Sequence, residues 1–224
     1  MGVIVGPRGR DTIDCMRDES EESRGTGTGA APVDALLIVD MQTAFVTGAD
    51  AVPDAARVLS ATRRLLAAAR AAGAPVVHLQ NDGETGGPDE PGTAGWALFV
   101  RPGPGERVVR KEADDGFEGT GLRAHLHEQR ARSLAVCGVL SEMCVSATAR
   151  TALRLGHRVV LPHDAHGTYD VPAAPDISEV VPAAMAARAA EWALGDEIEI
   201  VPFAADVRFA GPEGAAADGG PPHG

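Results

Sequence analysis

Residues 138–150 read GVLSEMCVSATAR, and their setting decides the fold. The apolar run Leu134-Ala135-Val136-Cys137 precedes them within Ser133–Val139 and predicts a strand buried on both faces. ATARTALRLG follows and predicts a helix that stops at Gly156. Cys144 therefore falls where strand passes into helix. A thiol there meets the positive end of the helix dipole, which favours thiolate over thiol. Backbone N–H groups of a first helical turn lack helical partners and can hold an oxyanion. Cys144 is thus a candidate nucleophile, and it needs groups that activate it.

The flanking chain alternates between strand and helix patterns. ALLIVD, residues 35–40, is a continuous apolar run ending in a carboxylate. Asp54 to Ala72 carries Val58, Leu59, Leu65 and Leu66 near helical spacing, with Gly73 as its cap. PVVHLQ (75–80), RVVRK (107–111), Ser133–Val139, Arg158–Leu161 and EIEIV (197–201) predict further strands, the last with an edge-like alternation. Leu122–Arg130 and Ser178–Ala193 predict helices, with Pro182 able to shift the start of the second. Such alternation predicts a three-layer α/β/α fold around a six-stranded, mainly parallel sheet. Asp40, Lys111 and the run before Cys144 then share one edge, at the C-terminal strand ends where open α/β sheets bind ligands.

Composition narrows the chemistry. The 224-residue chain has a formal net charge of −12, which argues against nucleic acid and favours neutral or cationic partners. No apolar run reaches the roughly 20 residues of a membrane span, and residues 1–32 lack a signal peptide's apolar core. The expectation is a cytoplasmic protein with no membrane partner. Residues 1–32 predict a disordered leader, 33–210 one domain, and 211–224 a disordered tail. Three cysteines, Cys15, Cys137 and Cys144, with no CxxC pair argue against a disulfide framework or structural zinc. Cys137, inside the apolar run, is expected to be inert core.

Of 20 basic residues only Lys111 is a lysine. A compact ammonium with a tunable pKa is something arginine cannot supply. Asp40 is the candidate base for Cys144, and Lys111 the cation that steadies carboxylate and thiolate. No histidine has a comparable position. His78 is expected in the core or a pocket wall; His163 and His166 flank Asp164 near the active edge, within reach of substrate. The Gly- and Pro-rich segment 81–106 is long for a loop, which points to function or disorder.

These pieces resemble the isochorismatase-like cysteine hydrolase superfamily: LLIVDMQTAF (36–45), VVHLQND (76–82), VVRKEADDGFEGTGL (108–122) and GVLSEMCVSATARTALRLGHRVVLPHDA (138–165). The resemblance implies a catalytic triad of Asp40, Lys111 and Cys144. It also implies a cis peptide at Val139–Leu140 and an oxyanion hole formed by the Leu140 and Cys144 N–H groups. Family members are usually dimers or tetramers, so a homodimer or homotetramer is expected. Metal-binding branches carry Asp and His after the second strand; here Gln80-Asn81-Asp82-Gly83 stands there, so no metal or other cofactor is expected. The retained Cys144 points to C–N hydrolysis rather than vinyl-ether cleavage. The stretch HLQNDGETGGPDEPGTAGWAL resembles a branch of amidohydrolases that open a lactam in a polycationic antibiotic. Gln80, Asn81, Asp82, Trp96, Phe117 and Glu142 are the expected pocket residues. The alternatives are an isochorismatase-type enzyme, a nicotinamidase or N-carbamoyl amide hydrolase, or a silent oligomeric binding member.

Overall fold

ALLIV (Ala35–Val39) forms β1, and all five residues are buried. Its side chains divide by parity, as a strand's must. Leu36 and Ile38 join one hydrophobic cluster; Ala35, Leu37 and Val39 join another. A strand with two apolar faces needs cover on both sides, and helices supply it. The computed structural model describes residues 31–211. The expected leader and tail lie outside the described residues, apart from 31, 32 and 211.

The short helix α1 (Thr43–Val46) follows β1, and the long helix α2 is Ala55–Ala72. Gly73 ends α2 at φ 69°, a left-handed cap that glycine adopts without steric cost. Val58, Leu65 and Ala69 of α2 pack into the first cluster. β2 (Val76–Asn81) and β3 (Arg107–Lys111) follow, and then α3 (Leu122–Glu128). β4 (Ser133–Val139) is buried throughout. A single wide, π-type turn at Ser141–Val145 leads directly into α4 (Ser146–Arg154). Leu122 and Leu126 of α3 and Ala149 and Ala152 of α4 fill the second cluster. β5 (Arg158–Pro162), the two-residue β6 (His166–Gly167), α5 (Ala183–Ala193) and β7 (Glu199–Val201) complete the order.

The sheet runs β3-β2-β1-β4-β5-β7, with β6 pairing β4, and every pairing within it is parallel. It has seven strands where the sequence predicts six. The extra one, β6, is too short for hydrophobic alternation to reveal. From β1 the sheet is built outward to β2 and β3 on one side, and from β4 to β5 and β7 on the other. C-terminal ends of β1 and β4 therefore sit side by side. Their approach is close: a Cβ on Gly138, which stands at φ 122°, would overlap the Val39 carbonyl.

The segment between β2 and β3 forms no helix or strand, but it is tied down. Thr43 and Ala44 N–H groups donate to Ala97 and Gly95, and Phe99 N–H donates to Met41. These bonds lay it against the chain that leaves β1. At its far end Glu106 accepts from Arg70, Gly103 and His78. Among the described residues no helix is long and apolar enough to cross a membrane.

Candidate active site

β1, β3 and β4 end on one edge of the sheet. With strands about 4.8 Å apart, β3 lies about 14 Å from β4 across β2 and β1. Lys111 and the turn that follows β4 meet within that gap. Lys111 Nζ lies 2.8 Å from Asp40 Oδ2 and donates to Cys144 Sγ at 3.2 Å. Two further acceptors fix it, Asn81 Oδ1 at 3.1 Å and the Ala113 carbonyl at 3.2 Å. All three residues are buried, yet Cys144 keeps 9% of its surface open.

The backbone bends sharply at each of them. Asp40 stands at φ 47°, in the left-handed region that aspartate tolerates better than most residues. Gln42 N–H closes that bend on the Asp40 carbonyl at 2.7 Å. Met143, just before Cys144, has φ −104° and ψ −106°, outside the helical region. The Val139–Leu140 peptide is cis, the form that the resemblance implies.

Burial dominates the electrostatics. It pushes the Asp40 carboxyl above its ordinary value, although Lys111 pulls the other way. Burial also works against the Lys111 ammonium, but the Asp40 and Cys144 charges hold it above its ordinary value. For Cys144, burial and then the Asp40 charge push the thiol upward, with Lys111 opposing. Both effects oppose the thiolate that the helix end favours. Dehydration and a neighbouring carboxylate outweigh the dipole of one turn. A thiol beside a base is the arrangement that results. Asp40 Oδ1 is buried and has no hydrogen-bond partner, so it has a vacant lone pair for a proton. Cys137 is wholly buried and its thiol is pushed up to about 12 by that burial, as expected of inert core.

The expected pocket residues divide. Asn81 joins the cluster: its Oδ1 accepts from Lys111 and its Nδ2 donates to Asp89 at 2.7 Å. Gln80 is buried and donates to the Trp96 carbonyl, as Gln42 does, so it anchors the loop. Trp96 Nε1 donates to Asp82, and Arg110 lies over the indole ring at 5.1 Å. Phe117 stacks on His157 and packs against the second core cluster. Glu142 accepts from Thr168 at 2.8 Å.

His163 and His166 differ from the expectation of substrate contact. His166 is buried under the nucleophile turn. Its Nδ1 meets Ser141 Oγ at 2.8 Å, and its Nε2 meets Glu191 Oε1 at 2.8 Å. His163 Nδ1 reaches the same carboxylate oxygen at 2.6 Å. The three donor atoms lie within 4.8 Å of one another, a grouping that has the ligand types for a metal. Their mutual hydrogen bonds already pair these atoms, and tie α5 and β6 to the turn bearing Cys144. Sequence reasoning also missed Asp114, whose Oδ1 lies 3.5 Å from Cys144 Sγ. Its place three residues after Lys111 was the available signal.

The isochorismatase domain model matches residues 34–192. A streptothricin hydrolase of Streptomyces noursei is 71% identical over 182 residues, 80% of this chain and 66% of that protein. A second streptothricin hydrolase of the same organism is 68% identical over 187 residues, covering 83% of this chain and 74% of the relative. The chain thus spans about two thirds of the length of the first relative. An isochorismatase structure from Pseudomonas putida KT2440 superposes with a TM-score of 0.72 at 31% identity, over 79% of this chain and 93% of that one.

Proposed function

Because this chain belongs to the isochorismatase family, we propose that it is a cysteine amidohydrolase that opens the streptolidine lactam of streptothricin. The observation that carries this reading is the contact of Lys111 with both Asp40 and Cys144, in a chain 71% identical to a streptothricin hydrolase.

Asp40 Oδ1 takes the thiol proton, and Lys111 holds the new thiolate against the buried carboxyl. The sulfur attacks the lactam carbonyl. The Leu140 and Cys144 N–H groups receive the oxygen as its charge develops. The tetrahedral centre collapses, the C–N bond breaks, and protonated Asp40 gives its proton to the departing nitrogen. A lactam's nitrogen stays tethered, so the acyl-enzyme retains every substrate atom. Water then enters, Asp40 takes one of its protons, hydroxide cleaves the thioester, and the departing Cys144 thiolate recovers that proton from Asp40. The product carries a new amine and a new carboxylate.

The test is incubation with streptothricin followed by mass spectrometry. The expected product has gained one water, and Cys144→Ser and Asp40→Asn proteins form none. Unchanged streptothricin, with a neutral lactam or nicotinamide consumed instead, would overturn the substrate assignment. A free nucleophilic thiol suits a reducing compartment, which supports assignment to the cytoplasm.

A further inference from the structure

We propose that Asp114 sets the charge class of the substrate, by receiving a guanidinium or ammonium group beside the carbonyl that Cys144 attacks. The inference rests on Cys144 as nucleophile and goes beyond it in naming the residue that selects.

Asp114 sits in the loop that leaves β3, so the strand end that delivers Lys111 delivers it too. Its side chain is exposed to incoming molecules while its Oδ1 accepts from Cys144 Sγ at 3.5 Å. Such a carboxylate is costly for the chemistry as it stands. Cys144 Sγ meets both Lys111 and Asp114, and Lys111 is already matched by Asp40 at 2.8 Å. When the thiol proton passes to Asp40, the negative charge moves from that carboxylate onto the sulfur, where it repels Asp114. A substrate cation seated on Asp114 removes that repulsion as it binds.

The adjoining surface has the same bias. A cavity of about 630 Å³ opens beside Lys111, with Asp82, Arg110, Glu112 and Glu118 in its wall. Arg110 is taken up by Asp82 at 2.7 Å. Glu112 and Glu118 remain as acidic groups in that wall. The cavity has the size of an ordinary small-molecule site.

The test reads the field at Cys144 without any substrate. In a Cys15→Ser background, the protein is modified with trimethylammonioethyl and, separately, sulfonatoethyl methanethiosulfonate. Each reagent leaves a mixed disulfide on the cysteine and releases methanesulfinate, so only reagent charge differs. The ratio of the two rates cancels changes in thiol reactivity. Wild type should favour the cation, and Asp114→Asn should lower the ratio about tenfold, as one nearby charge does at a partly exposed site. Glu128→Gln removes a charge elsewhere on the surface and should leave the ratio unchanged. A ratio unaltered by Asp114→Asn overturns the proposal, whatever the true substrate is.

With streptothricin, Asp114→Asn should raise KM about tenfold at similar kcat, while an uncharged lactam is spared. Equal loss of kcat on both would make Asp114 the proton acceptor and overturn its role in selection. Should wild type turn over neither compound, the proposed function fails, while the reagent ratio still decides the role of Asp114.

Discussion

Asp40 meets Lys111 through one carboxylate oxygen, Oδ2, at 2.8 Å, while the other, Oδ1, is buried without a hydrogen-bond partner. One oxygen is held and the other is left open to a proton. Lys111→Met tests the held side. It strands Asp40 in the core without its cation, and breaking such a buried pair costs about 3–5 kcal/mol. Thermal unfolding should shift down accordingly, and kcat should fall by at least about 100-fold through loss of charge stabilisation. Wild-type activity in this variant would remove Lys111 from the mechanism.

The open side has a pH signature. Asp40 must be ionised to accept the thiol proton, and burial raises its carboxyl above the ordinary 3.8. Activity should therefore be lost, as pH falls, at a higher pH than a solvent-exposed aspartate would give. Lys111 is held above its ordinary 10.5, so it contributes no alkaline loss below that pH. A profile of kcat/KM against pH checks both limbs. An acid limb centred at or below 3.8 would contradict the assignment of Asp40 as base.

A second carboxylate governs acid stability. Burial works to raise Glu106, but Arg70, the Gly103 N–H and His78 together lower it to about 2, from 4.5. A depressed folded pKa means stability fully present above 4.5 and lost as pH falls through about 2. Glu106→Gln should cost about 1–2 kcal/mol at neutral pH, after allowance for the solvent near Arg70. It should also flatten the pH dependence of stability between about 4.5 and 2, and denaturant melts across that range measure it.

The Ser141–His166–Glu191 chain should act on geometry rather than on binding. Ser141→Ala removes the partner of His166 Nδ1 beneath the turn that bears Cys144. The expected cost is about 1–3 kcal/mol of stability, the usual loss for an unsatisfied buried group. With the turn loosened, kcat should fall while KM stays near wild type. Steady-state kinetics on the folded variant separates the two, and a rise in KM alone would place Ser141 in the binding surface.

Apolar runs made most of this fold legible, because a parallel strand buried on both faces leaves an unbroken apolar signature. Ser133–Val139 and Arg107–Lys111 are observed with the bounds the sequence predicts. The lone lysine and the carboxylate ending ALLIVD identified two partners for Cys144 because strand ends converge. The rest depended on contacts between distant residues. Nothing local shows that His166 turns inward to Glu191, 25 positions away, and the place of Asp114 three residues after Lys111 hints at the site without showing its contact with the sulfur. The upward push on the Cys144 thiol was hidden for a similar reason: burial and Asp40 are tertiary facts, whereas the helix end is a local one.

Hydrolysis through Cys144 requires a covalent acyl-enzyme. The direct measurement is rapid acid quench of enzyme mixed with streptothricin, followed by peptide mass spectrometry. A transient adduct is expected on the peptide containing Cys144, heavier by the whole substrate because the lactam nitrogen remains tethered. The adduct should be absent from Cys144→Ala. Turnover by Cys144→Ala at the wild-type rate, or an adduct on another residue, would contradict it.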